Sequence, residues 1–404
     1  MSFMNDKKTT YLDNNATTQV ALEVVDAMLP YLASGFANAA SPHVSGRAAA
    51  AAVAKAREQV AASVGCDNTE IVFTSGATEA NNMVILGATR RHPARKKIVA
   101  TAIEHKSVLE PCEWMSAQGY ELVILPVSPD GVVDVEVAAD LIDEQTLLVS
   151  IQGANNEIGT LQPVTAVAEL ARNRGALVHC DAAQMLGKVP VDADALLVDY
   201  VSVSAHKVYG PKGIGALFVR KGTARSSLTP IMFGGGQELG LRPGTLNVAA
   251  IVGFGVAVCV STADLTSDGQ RIAALRDTFE AAVTADLPGI SVNGANSPRL
   301  PGTCSITIPD IPANVLIAHT PTLCISDGSA CASGSFAPSH VIQALGHSSD
   351  YARNTVRISM GRYNTECEVK QAERTIVEAA MNIRSQLIRS AFRASLPERQ
   401  EERK

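Results

Sequence analysis

Short apolar runs alternate with alanine-rich stretches through the first two thirds of this 404-residue chain. The runs predict strands at residues 70–73, 98–101, 121–126, 147–151, 177–180, 200–204 and 216–220. The stretches between them predict helices, among them residues 47–65, 80–89 and 164–174. Regular alternation of strand and helix is typical of a doubly wound α/β fold, with a mostly parallel sheet covered by helices on both faces.

The alternation ends near residue 262. A helix at 271–285, strands near 291–293 and 303–308, and a long charged helix at 366–389 predict a smaller α+β domain. We therefore expect a large domain over residues 19–262 and a small domain built from residues 1–18 and 263–404.

Charge and cysteine usage exclude several classes of protein. The net charge of −6 gives no overall attraction to nucleic acid. The eight cysteines are scattered without a CxxC pair, which argues against a disulfide framework and against a metal site in this chain alone. The N-terminal residues lack the apolar core of a secretory signal, and the apolar run around 248–260 predicts a buried helix rather than a membrane span. We expect a cytoplasmic protein.

Two distant side chains, Lys207 and Cys331, are candidate nucleophiles. Lys207 ends the sequence Ser-Ala-His-Lys directly after the predicted strand 200–204, and a glycine-rich turn follows it. Burial favours the neutral amine, which forms imines with aldehydes. Cys331 lies in a run of small residues, 327–334, where a thiolate could act as a nucleophile.

Polar residues follow other predicted strands at the edge where such sheets bind ligands. Asp181 ends one strand, where it either pairs with a protonated ring nitrogen or caps a helix. His105 either stacks on a ligand and moves protons or serves as a core or cap residue. Asn156 either contacts a ligand oxygen or belongs to a turn.

Three further segments have a ligand-binding interpretation beside a structural one. Residues 74–78 form either a phosphate loop before a helix or an ordinary capped turn. Arg357, in the middle of an apolar strand, binds either a substrate carboxylate or a structural acid. The glycine-rich stretch 234–245 is either a phosphate or subunit-contact loop or a flexible connector.

Nine segments, in order along the chain, resemble the pyridoxal phosphate (PLP)-dependent cysteine desulfurases of the aminotransferase class V family, the NifS/IscS-like group. They are YLDNNATT (11–18), FTSGATEANN (73–82), EHKSVLEP (104–111), ANNEIGTLQPV (154–164), HCDAAQMLGKVPVD (179–192), SAHKVYGPKGIGALFVR (204–220), GGGQELGLRPGT (234–245), SDGSACASGSFAPSH (326–340) and TVRISMGRYNT (355–365). The resemblance implies the type I fold of PLP-dependent transferases, with a seven-stranded sheet in the large domain.

The resemblance also implies roles for individual residues. Lys207 would bind the cofactor covalently, and Cys331, on a loop at about 324–338, would accept sulfur from L-cysteine. His105 would stack on the cofactor ring and assist proton transfer. The other cofactor contacts would be Ala77, Thr78, Asn156, Asp181, Gln184, Ser204, His206 and, from the neighbouring subunit of a homodimer, Thr245. Arg357 and Asn38 would bind the substrate.

Three departures from the family pattern stand out. The usual Ser-Gly-His-Lys is Ser-Ala-His-Lys at 204–207. The usual Asn-Pro-(Ser/Ala)-Ser is Asn-Ala-Ala-Ser at 38–41, and Asp327 precedes Cys331 where serine is common. A carboxylate near a thiol disfavours its thiolate.

The pathway and the reaction class retain alternatives. The segments 37–43 and 230–245 look closest to desulfurases of DNA phosphorothioation, while iron–sulfur cluster assembly and tRNA thiolation remain alternative destinations for the sulfur. The expected partners are sulfur-acceptor proteins, with no direct nucleic acid and no membrane. A selenocysteine lyase, an aminotransferase and a non-enzymatic scaffold are the competing hypotheses.

Overall fold

The computed structural model of the chain describes residues 9–91, 94–327 and 337–394. Within them we number the strands and α-helices in chain order. The strands are β1 Thr10–Tyr11, β2 Ile71–Thr74, β3 Lys97–Thr101, β4 Glu121–Leu125, β5 Thr146–Gln152, β6 Leu177–Asp181, β7 Tyr200–Ser204, β8 Gly215–Val219, β9 Ser291–Val292, β10 Thr303–Thr307, β11 Leu323–Cys324 and β12 Thr355–Ser359. The helices are α1 Leu22–Leu32, α2 Val44–Ser63, α3 Ala77–Arg91, α4 Lys106–Ala117, α5 Val135–Leu141, α6 Val164–Asn173, α7 Thr223–Ser226, α8 Val248–Ala263, α9 Leu265–Asp286, α10 Ala313–His319, α11 His340–Ala344, α12 Ser349–Arg353 and α13 Glu366–Ala394.

The largest sheet has seven strands in the order β2-β8-β7-β6-β5-β3-β4. All neighbours pair in parallel except β8, which is antiparallel to β2 and β7. The connection from β7 to β8 is too short for the crossover that a parallel pair needs. The predicted α/β class with a mostly parallel sheet is confirmed.

Both faces of this sheet are covered, which explains why its strands are apolar rather than alternating. Val99 and Val149 are fully buried in one core, while their neighbours Ile98 and Leu148 are fully buried in another on the opposite face. Side chains of consecutive strand residues point to opposite faces, so both sets must be apolar. The carboxyl ends of the neighbouring strands β5, β6 and β7 therefore lie side by side at the edge of an apolar core.

A second core surrounds a three-stranded antiparallel sheet of order β12-β10-β9. Phe279 of α9, Ile306 of β10, Ile358 of β12 and Ile376 of α13 are buried in it. The N-terminal strand β1 pairs in parallel with β11, so the start of the chain joins its C-terminal part. The proposed division into domains at residue 262 stays a prediction.

Helix boundaries differ from the sequence prediction mainly at N-termini. Helix α2 begins at Val44 rather than residue 47, because the side chain of His43 caps it by accepting the Gly46 N–H. Helix α9 begins at Leu265, directly after α8, with only Asp264 between them. Among the described residues, no single helix is long and apolar enough to cross a bilayer. Only α8 and α9 taken together, bent by 71°, meet that length and composition.

Candidate active site

A cavity of about 600 Å³, the central cavity, opens at the carboxyl ends of the parallel strands. Ligands of open α/β sheets bind at this edge. Nine of the predicted site residues line it, namely Ala77, Thr78, His105, Asn156, Asp181, Gln184, Ser204, His206 and Lys207. Residues distant in sequence thus converge because each follows a neighbouring strand.

One end of the central cavity is formed by the loop between β2 and α3. Helix α3 begins at Ala77, so the N–H groups of Ala77 and Thr78 belong to its first turn, where no carbonyl of the helix accepts them. Strand β8 packs closely against this loop, since a Cβ atom at Gly215 would lie 2.7 Å from the Gly76 Cα. The N-terminus of a helix of this length favours an anion.

The Asp181 carboxylate lies at the end of β6 and is only 7% exposed. Its Oδ1 accepts the Ala183 N–H at 3.0 Å, and its Oδ2 accepts Nδ2 of Asn81 at 2.8 Å. Asn81 in turn donates to Ser107 Oγ at 2.8 Å. The carboxylate is therefore held in one orientation at the cavity wall.

Lys207 stands in a short helical turn immediately after β7. Its Nζ donates to the backbone carbonyls of Asn15 and Ala16, the latter at 2.9 Å. Both acceptors belong to the segment after β1, so the N-terminal residues hold the amine at the cavity. These two hydrogen bonds hold the amine beside the cavity, where it can form an imine with an aldehyde ligand.

The two histidines of the central cavity differ in their surroundings. His105 caps α4, and its Nδ1 accepts the Ser107 N–H at 3.1 Å, so the neutral ring carries its proton on Nε2. Burial, with the charges of Lys207, Lys212 and Lys188, lowers the pKa of His206 to about 4. His206 is thus neutral near pH 7 and can offer one N–H donor.

Arg357 of β12, which the sequence predicts to bind the substrate, is buried beside the central cavity. Arg357 is 1% exposed, and its Nη2 donates to Asp13 Oδ1 at 2.7 Å. Its Nη1 donates to the carbonyl of Asn156, which lines the cavity, at 3.1 Å. Its Nε has no acceptor among the described residues. A buried guanidinium with an unused donor has capacity for a further carboxylate.

Asn38 and Thr245 do not line the central cavity. They line a separate pocket of about 200 Å³, the Thr245 pocket, between the start of α2 and the glycine-rich loop. Both side chains belong to exposed residues. Glu238 forms one wall, where its carboxylate binds Arg57 and accepts the Phe73 N–H at 2.7 Å. The Thr245 pocket thus contacts the strand that leads into the Ala77 loop.

Cys331 lies outside the described residues. The described residues stop at Asp327 before Cys331 and resume at residue 337, two residues before Ser339. Asp327 and Ser339 both act on the carboxyl group of Glu157. Ser339 Oγ donates to Glu157 Oε2 at 2.5 Å. Burial raises the pKa of Glu157 to about 7, against the hydrogen bond from Ser339 and the charge of Arg357, while the charge of Asp327 raises it further.

Sequence reasoning missed four residues beneath the site: Asn15, Asn81, Glu104 and Lys188. Asn81 lies in the same motif as the Ala77 loop, and Glu104 precedes His105, so proximity in sequence was an available signal. Burial raises the pKa of Glu104 to about 8, although Thr101 and the Gln152 N–H bond its carboxylate. Lys188 follows Gln184 by four residues and bonds its side-chain oxygen at 2.5 Å.

The residues present fit the pyridoxal phosphate that the resemblance implies. The Ala77 and Thr78 N–H groups, with the neighbouring His206 and Lys212, suit a phosphate. The Lys207 amine suits the aldehyde, and the fixed Asp181 carboxylate suits a protonated pyridine nitrogen. A cavity of about 600 Å³ accommodates a ligand of this size.

Comparison with known proteins agrees with this chemistry. The sequence profile of the family Aminotransferase class-V matches residues 10–372. The cysteine desulfurase IscS of Anaeromyxobacter sp. (strain Fw109-5) is 42% identical over 376 residues, which span 93% of each chain. A NifS-like protein of known structure superposes with a TM-score of 0.85 at 37% identity, over 92% of this chain and 98% of that one. DndA from Streptomyces lividans superposes with a TM-score of 0.74 at 37% identity, over 87% of this chain and 99% of that one.

Proposed function

The chain belongs to the aminotransferase class-V family, and we propose from this premise that the central cavity is the active site of an L-cysteine desulfurase. Its similarity to IscS and NifS-like proteins over about nine tenths of its length indicates a PLP-dependent cysteine desulfurase. The observation that carries the proposal is the convergence of the Lys207 amine, the held Asp181 carboxylate and the N-terminus of α3 on one cavity. These are the three groups that a phosphorylated pyridine aldehyde requires.

Pyridoxal phosphate, when bound, withdraws the electrons that develop at the substrate Cα. The Asp181 carboxylate would keep the ring nitrogen protonated, because Asn81 and the Ala183 N–H hold it in place. Ala77, Thr78, Ser204 and His206 would bind the phosphate. Gln184 and Asn156 would contact the ring oxygen. Each of these roles is an electrostatic or hydrogen-bonding one that the fold prepares before ligand arrives.

Proton movement falls to Lys207 and His105. The Lys207 amine, which would hold the cofactor at rest, would take the proton from the substrate Cα. His105, whose Nδ1 is occupied by the Ser107 N–H, would exchange a proton at the substrate sulfur through Nε2. Arg357 would bind the substrate carboxylate with its unused Nε donor. Asn38 lies in the Thr245 pocket, so it would assist from a neighbouring chain.

Sulfur transfer completes the reaction. The Cys331 thiolate would attack the sulfur of the substrate, so that an S–S bond forms as the substrate C–S bond breaks. The electron pair of the C–S bond remains on the carbon, which is protonated to give L-alanine. L-cysteine and one enzyme thiol thus yield L-alanine and one Cys331 persulfide, with atoms and electrons balanced.

We also propose a homodimer in which Thr245 reaches the neighbouring active site. Helix α1 exposes Leu22, Val25, Leu29 and Leu32, which recur at helical spacing on one face. Phe233, in the loop that leads to Thr245, is 81% exposed. Exposed large apolar side chains such as these are typical of surfaces that bind another protein chain.

The persulfide sulfur on Cys331 would pass to a sulfur-acceptor protein. Acceptors in DNA phosphorothioation, iron–sulfur cluster assembly or tRNA thiolation would each take the persulfide sulfur from Cys331. We place the enzyme in the cytoplasm, where thiols stay reduced. Transfer of ³⁵S from the loaded enzyme to purified acceptors of each class distinguishes them.

Mass spectrometry of the Cys331 peptide tests the proposed function. After brief exposure of the PLP-loaded enzyme to L-cysteine without reductant, we expect a persulfide on Cys331 and release of L-alanine. Cys331→Ser should retain bound PLP and lose the persulfide. Cys324→Ser, which removes a neighbouring half-buried cysteine, is the matched control and should keep it. Turnover of L-cysteine by Cys331→Ser at the wild-type rate, with sulfur delivered to an acceptor, would contradict the assignment.

A further inference from the structure

Lys188 is a partly buried lysine beneath the central cavity that has no assigned role in the reaction. Its Nζ donates to Gln184 Oε1 at 2.5 Å and to Asn15 Oδ1 at 3.0 Å. Burial, then the charges of Lys207 and Arg357, lowers the pKa of its amine well below the usual range. Removing an amine from water costs free energy, which its hydrogen bonds to Gln184 and Asn15 must offset.

The orientation of the Gln184 amide follows from its two partners. A lysine amine next to an oxygen donates, so the atom that faces Lys188 is Oε1. The backbone carbonyl of Asn15 only accepts, so the atom that faces it, at 2.9 Å, is Nε2. Gln184 lines the central cavity, and the remaining N–H of Nε2 is left for a ligand. Without Lys188, the amide would lose the contact that fixes its oxygen.

Asn15 connects the same lysine to Lys207. Its backbone carbonyl accepts both Gln184 Nε2 and Lys207 Nζ, while its side-chain Oδ1 accepts Lys188. Its Nδ2 donates to Thr303 Oγ1 of β10 at 2.8 Å, which links the network to the second sheet. One residue therefore joins the catalytic lysine, the Gln184 amide and Lys188.

We propose that Lys188 is a positioning residue, which orients the Gln184 amide as a donor to the ligand and holds Asn15 where its carbonyl binds Lys207. The inference rests on the proposed function, because it assigns Gln184 and Lys207 their places in that site. Lys188 itself does not line the central cavity and acts through these two neighbours.

Lys188→Met keeps the length of the side chain and removes its donors. We expect the apoprotein to bind PLP about tenfold more weakly, the value of one lost hydrogen bond. The absorbance maximum of the bound cofactor should shift, since the ring oxygen loses a fixed donor. Lys188→Gln, which retains N–H donors, should restore part of both effects. Lys221→Met, which removes an exposed lysine paired with Asp67, is the control and should match the wild type.

A double-mutant cycle separates positioning from general packing. Because Lys188 acts partly through Gln184, adding Lys188→Met to Gln184→Met should weaken PLP binding by clearly less than the roughly tenfold effect of Lys188→Met alone. The rate at which acetic anhydride acylates Lys207 in the apoprotein can be followed by peptide mass spectrometry. This rate should differ from that of the wild type in Lys188→Met and match it in Lys221→Met.

Two results would overturn the inference. One is wild-type PLP affinity, absorbance and Lys207 labelling in folded Lys188→Met, and the other is full additivity with Gln184→Met. If Lys188→Met does not fold, Lys188→Gln with wild-type properties in all three measurements together with additivity would overturn it equally. Failure of the wild-type protein to bind PLP would instead contradict the proposed function, so the two failures are distinguishable.

Discussion

The central cavity takes its polar side chains from the ends of parallel strands, whereas the Thr245 pocket lies between helix α2 and a glycine-rich loop. In the central cavity each catalytic candidate has partners from the same chain, as Asp181 has Asn81 and Lys207 has Asn15. In the Thr245 pocket the two predicted site residues, Asn38 and Thr245, are exposed. Sheet topology therefore assembles the first site within one chain, while we propose that the second needs a neighbouring chain.

The two regions share one structural element. Glu238 walls the Thr245 pocket and accepts the Phe73 N–H, and Phe73 immediately precedes the residue where β2 ends and the Ala77 loop begins. Strand β2 therefore connects the wall of the Thr245 pocket to the Ala77 loop of the central cavity.

A mixture of two inactive variants tests whether Thr245 serves the active site of a neighbouring chain. Lys207→Ala removes the amine from its own central cavity, and Thr245→Asp places a carboxylate where we propose a neighbour's phosphate lies. Each homodimer should lose desulfurase activity by about 100-fold or more. A mixed dimer has one site with both changes and one with neither, so random mixing should restore about a quarter of the wild-type activity. Activity is measured as alanine release after subunit exchange.

The control for this experiment is the double variant Lys207→Ala/Thr245→Asp mixed with Lys207→Ala, which provides no intact site in any pairing. No gain is expected there. If the mixture of single variants also shows no gain although the subunits exchange, Thr245 serves its own chain or no site, and the contrast between the two regions fails.

Glu238→Gln tests the buried ion pair in the wall of the Thr245 pocket. The Glu238 side chain is 2% exposed and binds Arg57, so its neutralisation leaves a poorly hydrated guanidinium unpaired. We expect the free energy of unfolding to fall by about 3 kcal/mol. Glu144→Gln breaks an exposed pair with Arg174 and should have a much smaller effect in the same urea titration. Equal effects of the two substitutions would mean that the Glu238 ion pair contributes no more than a surface pair.

Glu104→Gln tests the buried floor of the central cavity through pH. Burial raises the pKa of Glu104 from 4.5 to about 8, so the folded protein keeps a proton that the unfolded chain releases. The contribution of Glu104 to the free energy of unfolding is fully present below pH 4.5 and is lost as pH rises through about 8. The glutamine variant has no such loss. Its free energy of unfolding, relative to that of the wild type, should therefore increase with pH by roughly 1–3 kcal/mol at neutral pH.

Urea unfolding of the apoprotein between pH 4.5 and 8.5 measures this difference. Glu110→Gln, on the exposed side of α4, controls for loss of a surface carboxylate. A difference between Glu104→Gln and wild type that stays constant across the pH range would exclude a protonated Glu104 in the folded state.

Sequence patterns predicted the large sheet well because its strands are buried on both faces. Residues 200–204 coincide with β7. Every end of the other predicted strands of this sheet lies within one residue of the observed end. The same patterns placed Asp181 and Lys207 at strand ends, and parallel pairing of β6 with β7 brings them to one edge. Local sequence was sufficient because the sheet itself supplies the long-range geometry.

The remaining parts depend on contacts that no local pattern encodes. Asn15 and Lys188 are 173 residues apart in the chain, and their hydrogen bond depends on how the N-terminal segment crosses the site. The antiparallel placement of β8 follows from a short connection rather than from its composition. Asn38 and Thr245 carry family motifs, yet their pocket is separate from the central cavity in this chain.

Borohydride reduction of the PLP-loaded enzyme, followed by peptide mass spectrometry, identifies the lysine that binds the cofactor. Lys207, Lys188 and Lys212 all lie at or near the central cavity, so the result is discriminating. We predict the pyridoxyl group on Lys207 alone. A pyridoxyl group on Lys188 or Lys212, with Lys207 unmodified, would contradict the account of the site.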